Sequence, residues 1–145
     1  MLGAYGQTLL LSHLPGHTLV EELERQENTG AIQWGPWDQL LNWLTEFSRL
    51  TGMVMTDVNL RNFLYDGNVL YGLDFEECAP GDPAVAVAGA AAFIRLYHPT
   101  HTPIKKQISQ YILERFAQNS GKEVQWLQSE SARREEALLE RRRQK

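Results

Sequence analysis

Three polar residues, Asp57, Asn62 and Asp74, have the types and the spacing of a small oxygen-lined site. Asp57 and Asn62 bound a D-x-x-x-x-N segment, and Asp74 follows twelve residues after Asn62. One carboxylate and one amide suit Mg²⁺, which binds few protein oxygens and completes its shell with phosphate oxygens and water. A second carboxylate nearby can accept or orient the proton of a substrate hydroxyl. These residue types predict phosphate chemistry at a magnesium ion, if the chain brings them together.

A predicted β-hairpin separates Asn62 from Asp74 and would fold the chain back on itself. Residues 63–65 and 69–71 are apolar or aromatic, and the Asp-Gly step between them supplies the positive φ that a tight turn needs. Because both residues flank the hairpin at its open end, we expect their side chains to lie close together. Asp57 precedes the hairpin in the same connecting segment, so it should join them there.

The segment that carries Asp57 follows a long amphipathic helix. Pro36 suits the first position of this helix, and Gly52 suits its C-terminal stop. The apolar residues recur at three- and four-residue steps, so that one face is apolar: Trp37, Leu40, Leu41, Leu44 and Phe47. This helix should anchor the polar loop to the core.

The N-terminal part of the chain predicts one strand and one short helix. Residues 5–14 are expected to form a short buried strand. Thr18 and Glu21 have the spacing of a capping box, which predicts a helix near residues 19–26. Farther along the chain, residues 79–82 are expected to form a loop.

The C-terminal part predicts helices that begin at Pro83 and at Pro103. The order of strand, helices, hairpin and helices predicts a mainly helical α+β fold. We expect a single domain over residues 1–145, with its core at about residues 8–119 and a charged helical tail at about residues 120–145. The arginine-rich end of this tail predicts a solvated helix end, with contact to an acidic partner or another subunit as the alternative.

The charge is unevenly distributed along the 145 residues. Residues 1–104 carry four basic and twelve acidic side chains, whereas residues 105–145 carry ten basic and six acidic ones. The acidic body argues against specific nucleic-acid binding, which needs cationic side chains on phosphates. The single cysteine, Cys78, excludes an internal disulfide and a multi-cysteine metal site. With no apolar run near the ~20 residues of a membrane span and no signal-peptide pattern, we expect a cytoplasmic protein without a membrane partner.

Four segments, in this order, resemble the C-terminal lobe of the protein-kinase-like superfamily, especially its aminoglycoside and choline phosphotransferase branch. Residues 55–64 (MTDVNLRNFL) are similar to the catalytic loop, and residues 73–76 (LDFE) to the metal-binding D-F-G segment. Residues 11–19 (LSHLPGHTL) resemble the hinge between the lobes and the helix start that follows it. Residues 81–84 (GDPA) resemble the start of the next helix. The resemblance covers roughly residues 8–97 and implies a kinase-like C-terminal lobe with a small hairpin.

This resemblance implies a role for each of the three polar residues. Asp57 would be the base or would orient the acceptor hydroxyl, and Asn62 and Asp74 would hold Mg²⁺ on the nucleotide phosphates. The implied cofactors are Mg²⁺ and ATP. Phosphoryl transfer would then depend on positioning and on neutralisation of charge.

The resemblance also implies nucleotide contacts outside the three polar residues. The backbone around Ser12, His13 and Leu14 would face adenine, and Leu64 would lie beneath the ring. Arg61, inside the catalytic loop, is a candidate phosphate contact, with a solvent-facing side chain as the alternative.

The sequence departs from the family pattern in three respects, namely the N-terminal lobe and two positions of the C-terminal lobe. The family's N-terminal lobe supplies a glycine-rich loop and a strand lysine, whereas no lysine precedes Lys105 here. Met55 and Ala86 stand where the family usually has a histidine and an aspartate, so we expect apolar packing to hold the catalytic loop. We therefore expect a lobe without an N-terminal lobe of its own.

Two functional classes follow from these observations. In the first, the chain is the catalytic half of a phosphotransferase that is completed by a partner, by an upstream segment or by self-association. In the second, it is a catalytically inactive kinase-like binding module. Both predict a homodimer or a complex with a chain that supplies an N-terminal lobe, since apolar surface near the hinge would otherwise meet water.

Simpler interpretations of the same residues stay open. Aspartate and asparagine are common turn residues, so Asp57, Asn62 and Asp74 could cap turns without binding anything. His98 and His101 have an H-x-x-H spacing, but no carboxylate or cysteine lies near them in sequence, which argues against a metal site.

Overall fold

The computed structural model describes Gly3–Tyr5, Thr8–Leu10 and residues 14–145. In these ranges the chain is mainly helical, with short antiparallel strands, which confirms the coarse α+β prediction. Five α-helices are present in the described residues: α1 (Leu19–Thr29), α2 (Gly35–Thr51), α3 (Pro83–Leu96), α4 (Pro103–Ser120) and α5 (Val124–Arg143).

The strands of the described residues form three small antiparallel sheets. Their bounds are β1 (Gly3–Tyr5), β2 (Thr8–Leu10), β3 (His17–Thr18), β4 (Met53–Met55), β5 (Phe63–Tyr65), β6 (Leu70–Gly72) and β7 (Cys78–Pro80). β1 pairs with β2, β4 pairs with β7, and β5 lies between β3 and β6.

Two of the strand predictions are wrong. Residues 5–14 were expected to form one strand, but Tyr5 belongs to β1 and Thr8–Leu10 form β2, which pair antiparallel with each other. Residues 79–82 were expected to form a loop, but Ala79 lies in β7 and pairs with Val54 in β4. Because this pairing joins residues far apart in sequence, no local turn or periodicity signal indicated it.

The capping box at the start of α1 is confirmed. The Glu21 amide donates to Thr18 Oγ1 at 3.2 Å, and the Thr18 amide donates to Glu21 Oε2 at 2.7 Å. α1 continues past the predicted end at residue 26 and stops at Gly30, whose φ of 71° is left-handed. A left-handed residue at this position ends a helix with little cost when it is glycine.

α2 begins and ends where its sequence predicts. Pro36 occupies the first turn, and Gly52 closes the helix with a φ of 70°. Trp37, Leu40 and Leu44 are buried on the predicted apolar face. Full burial of each such side chain contributes on the order of 1.5–3 kcal/mol. α2 therefore anchors the segment that enters β4 and the polar loop after it.

The alanine-rich helix α3 lies at the centre of the helical layer. It packs against both α4 and α5, and its small side chains are almost entirely buried. The Ser109 hydroxyl of α4 donates to the Ala91 carbonyl at 2.8 Å, which ties these two helices together. In the part of the chain that is described, no helix combines the length and the apolar character needed to cross a membrane.

The hairpin of β5 and β6 is clamped against α2. Asp66 Oδ1 accepts the amides of Asn68 and Val69 at 2.8 and 2.7 Å, which closes the predicted Asp-Gly turn. Gly72 lies so close to Trp43 that a Cβ atom there would fall 2.1 Å from Trp43 Cζ2. Only glycine fits this position, and the close contact fixes the hairpin, with its open end, on the helix.

Candidate functional site

The three predicted site residues line one small cavity. Asp57, Asn62 and Asp74 surround a volume of about 80 Å³ together with Met55, Glu76 and Glu77. Four of these six side chains are carboxylates and one is an amide. The cavity, called the acidic cavity below, lies between the open end of the β5–β6 hairpin and the β4–β7 pair.

The hairpin brings Asn62 and Asp74 together through its register. Phe63 pairs with Gly72, so that the residues just outside the strands face each other. The Leu73 amide donates to the Asn62 carbonyl at 2.8 Å and extends the ladder by one bond. The residue before Asp74 is thereby fixed to Asn62.

The β4–β7 pair brings Asp57 to the same place. Met55 pairs with Cys78, and beyond this pair both the Thr56 amide and the Thr56 hydroxyl donate to the Glu77 carbonyl, at 3.0 and 3.1 Å. These bonds hold Asp57 beside the segment that carries Glu76 and Glu77. Sequence reasoning missed these two glutamates. The acidic run that follows Asp74 was the available signal, but it became informative only with β7 in place.

The loop between Asp57 and Asn62 has a polar support that the sequence did not reveal. The Tyr97 hydroxyl, at the end of α3, donates to Asn59 Oδ1 at 2.7 Å and accepts the Leu60 amide at 3.0 Å. Burial raises the pKa of Tyr97 to about 12, so its hydroxyl stays protonated at neutral pH. Met55 and Ala86 are buried, in line with the expected apolar packing around the loop.

Asp74 adopts an unusual backbone conformation. Its φ of +59° is left-handed, a region that costs a non-glycine residue roughly 1–2 kcal/mol. Aspartate tolerates it better than most residues because its side chain can bond locally, and Asp74 Oδ1 accepts the Glu76 amide at 3.4 Å. Such conformations are concentrated at functional sites, where the surrounding structure maintains them.

The electrostatics of the acidic cavity favour a bound cation. Burial raises the pKa of Asp57, the negative charges of Glu77 and Asp74 raise it further, and Arg141 opposes them. Converging carboxylate and amide oxygens are hard ligands, so the donor set fits Mg²⁺. The described residues contain no group of three or more His, Cys, Asp or Glu side chains arranged to enclose a metal by themselves. An ion here would therefore need oxygens from a ligand or from water as well.

The other predicted site residues lie elsewhere. Arg61 lines a separate cavity of about 360 Å³, which also includes His98 and Lys105, so the structure does not place it at the acidic cavity. Leu64 is half-buried in β5, between Thr18 and Tyr71.

The predicted hinge is only partly described. Leu14 is half-buried, whereas Ser12 and His13 lie outside the described residues. His101 pairs with Glu135, its Nε2 lying 2.8 Å from the Glu135 carboxylate. The two histidines of the H-x-x-H segment therefore have different surroundings, since His98 lines the cavity of Arg61.

A stack of aromatic rings lies beside residues 74–77, the segment that carries Asp74, Glu76 and Glu77. Phe75, between Asp74 and Glu76, stacks on Trp43 and Phe47 with ring centroids 5.9 and 5.6 Å apart. Phe75 remains 49% exposed, which is a large exposed fraction for such a side chain. The backbone of residues 74–76 is thus held between an aromatic surface and the acidic cavity.

The comparisons with known proteins give no independent identification. A scan against protein-family models finds no matching family, and searches of curated proteins and of solved structures find no match. The function must therefore be argued from the geometry of the acidic cavity and its surroundings.

Proposed function

We propose that this chain is a kinase-like phosphotransferase lobe that binds Mg·ATP and transfers a phosphoryl group to an acceptor hydroxyl. The observation that carries the proposal is the convergence of Asp57, Asn62 and Asp74 on one small cavity. Turn caps alone would not require residues from two segments, on either side of the hairpin, to share a cavity. Two backbone hydrogen bonds maintain that convergence, one from Leu73 to Asn62 and one from Thr56 to Glu77.

The proposal assigns two roles to the residues of the acidic cavity, metal binding and orientation of the acceptor. Asn62 and Asp74, fixed across the hairpin, would hold Mg²⁺ on the nucleotide phosphates. Asp57 would orient the acceptor hydroxyl and take its proton, for which its raised pKa suits it. When bound, Mg²⁺ neutralises the phosphate oxygens and keeps them in place for transfer.

Binding of Mg·ATP to the Asp74→Asn variant tests the metal assignment. Asparagine also tolerates a left-handed backbone, so the substitution removes charge while sparing the fold. We expect calorimetry to show Mg·ATP binding to the unsubstituted protein that disappears with EDTA, and affinity at least about tenfold weaker in the variant.

Asp66→Asn is the matched control for Asp74→Asn. It makes the same change at the other end of the same hairpin, where an asparagine oxygen can still accept the turn bonds. Its affinity for Mg·ATP should equal that of the unsubstituted protein. Equal affinity in both variants would contradict the metal assignment.

We propose further that the lobe works with a second lobe, supplied by another segment, a partner chain or a second copy. In the described residues, no lysine or arginine lines the acidic cavity, so a cation for the phosphates must come from elsewhere. Lys105 cannot supply it, because its Nζ is buried and donates to the Pro99 carbonyl at 2.6 Å. The exposed Phe75 offers an apolar contact beside the cavity.

Sedimentation of the Phe75→Ser variant tests self-association. We expect the unsubstituted protein to associate at micromolar concentration and the variant to dissociate, because the aromatic stack would lose its exposed ring. Leu50→Ser is the control, since Leu50 is 71% exposed on α2 and belongs to no aromatic stack. A strictly monomeric protein across micromolar dilution would exclude the homodimer.

A catalytically inactive binding module is the second candidate. The observation that favours it is the same absence of lysine and arginine from the lining of the acidic cavity in the described residues. If this candidate is right, the protein binds no nucleotide at millimolar ATP, with or without Mg²⁺, and Asp74→Asn changes nothing that calorimetry measures.

A further inference from the structure

A second cavity meets the acidic cavity at Asp57. It has a volume of about 170 Å³, and its polar lining consists of Asp57 and Asn59 from the loop, Arg141 and Arg142 from the last turn of α5, and Lys145 just after the helix. Within the part of the chain that the structure describes, no carboxylate side chain other than that of Asp57 lines it. This basic cavity therefore has the opposite charge to its neighbour, and the two share one residue.

The packing of α5 on α3 holds the end of the helix, which carries the arginines, in place. Leu127 is fully buried, and Arg95 of α3 donates to Ser131 Oγ at 2.8 Å and to Glu135 Oε2 at 2.7 Å. Farther along, Arg142 Nη1 donates to the Leu96 carbonyl at 3.0 Å. The predicted solvated helix end is thus anchored to the core, although its last side chains remain exposed.

Arg141 differs from the other arginines of α5, which each make an ion pair or a hydrogen bond within the described residues; Arg142, for example, donates to the Leu96 carbonyl. Arg133 and Arg143 each pair with a glutamate three residues earlier, Glu130 and Glu140. At the same positions before Arg141 the chain has Ala137 and Leu138, which cannot pair with it. Among the described residues, Arg141 makes no hydrogen bond or ion pair, although its charge acts on Asp57, so its donors remain available to a ligand.

From this arrangement we infer that the basic cavity binds a phosphate group carried by the acceptor. Arg141 would hold the phosphate, with Arg142 and Lys145 adding charge, while the acceptor hydroxyl lies at Asp57. This inference rests on the proposed phosphotransfer. In that reaction the acceptor oxygen bonds to the γ-phosphorus, the bond to ADP breaks with its electron pair leaving on ADP, and the hydroxyl proton passes to Asp57.

The two cavities explain why the acceptor phosphate would not compete with the nucleotide. Four carboxylates repel a free phosphate from the acidic cavity unless Mg²⁺ accompanies it. The basic cavity attracts a phosphate without a metal. The charge separation across Asp57 would therefore direct the two phosphate-bearing substrates to opposite sides of the residue between them.

Titration with inorganic phosphate, without nucleotide or Mg²⁺ and at constant ionic strength, tests the inference. We expect phosphate to shift the arginine side-chain Nε–Hε signals of the unsubstituted protein. The Arg141→Gln variant should bind phosphate at least about tenfold more weakly. Arg143→Gln, in the same helical turn but outside the cavity, should match the unsubstituted protein. Asp57→Asn should bind phosphate more tightly, because it removes the negative charge of Asp57 from the lining.

A parallel titration with Mg·ATP separates this inference from the proposed function. Arg141→Gln should bind Mg·ATP as the unsubstituted protein does. The inference is wrong if phosphate does not bind, or if it binds Arg141→Gln and Arg143→Gln with equal affinity. Mg·ATP binding would in that case still support the proposed function. Phosphate binding without any Mg·ATP binding would overturn the acceptor role together with the proposed function.

Discussion

Glu22 and Asp57 lie in two polar regions of the domain, and their surroundings shift the pKa values of the two carboxyl groups in opposite directions. The Glu22 carboxylate is 1% exposed and bonds to Arg25, to Gln26 at 2.9 Å and to His17 at 2.6 Å. Gln26 in turn accepts the Trp37 indole N–H at 3.1 Å, which joins α1 to α2. Burial acts to raise the pKa of Glu22, but these hydrogen bonds outweigh it and leave the pKa lowered.

Asp57 has the opposite balance. Burial raises its pKa, the charges of Glu77 and Asp74 add to the effect, and Arg141 offsets only part of it. A carboxylate that serves the fold is thus surrounded by donors from its own chain, as Glu22 is. A carboxylate whose neighbours repel its charge gains from a ligand that supplies the missing cation or proton. The comparison separates a structural acid from a candidate functional one without reference to any family.

Replacement of Asp57 should cause the largest loss of function and no loss of stability. In Asp57→Asn, we expect phosphoryl transfer to fall by about 10²–10⁴-fold, because the proton acceptor is lost. The free energy of unfolding should not decrease, since the substitution removes a charge that its neighbours oppose. Transfer of phosphate from labelled ATP, with the completing lobe present, and denaturation of the same sample measure both effects.

Asp66→Asn again provides the control for this substitution, because it neutralises an exposed aspartate at the hairpin turn. Transfer that survives in Asp57→Asn at the control level would remove Asp57 from the chemistry. A large loss of stability in Asp57→Asn would place it instead with Glu22, as a residue that the fold requires.

Replacement of Glu22 should show the reverse pattern. We expect Glu22→Ala to lose about 2–3 kcal/mol of unfolding free energy, since it removes the acceptor for the buried Gln26 amide and the partner of Arg25 and His17. Chemical denaturation measures the loss. Glu24→Ala, an exposed neighbour on the same helix, should change stability by less than about 0.5 kcal/mol. Equal effects of the two substitutions would show that the Glu22 cluster contributes nothing particular.

The sequence predicts those parts of the structure that depend on nearby residues. The Thr18–Glu21 capping box, the Gly52 stop and the Asp-Gly turn each act within a few residues, and each is present. The convergence of Asn62 and Asp74 was predictable for the same reason, because a short hairpin fixes the distance between its own ends.

The parts that sequence reasoning missed depend on contacts between distant segments. β7 forms only because β4 lies beside it, and it adds Glu76 and Glu77 to the acidic cavity. From its sequence, α5 resembles a solvated helix, because most of its residues are charged or polar. Its two buried residues, Leu127 and Ser131, nevertheless attach it to α3. No local pattern could show that this docking brings Arg141 to Asp57.

The pH dependence of stability gives the smallest effect and compares the two acids directly. Because the pKa of Asp57 is raised in the folded state, its ionisation destabilises the fold. The stability of Asp57→Asn relative to the unsubstituted protein should therefore be constant below the ordinary pKa of 3.8 and rise with pH until the raised pKa is passed.

The lowered pKa of Glu22 reverses the sign of this pH dependence. Its stabilisation is complete above 4.5 and is lost as the pH falls through the lowered pKa, so Glu22→Gln should be most destabilised near neutral pH. Denaturation from about pH 3 to about pH 7 measures both differences. Parallel curves for the two variants would contradict the contrast between a satisfied and an opposed carboxylate, because the sign of each slope follows from the surroundings of each acid.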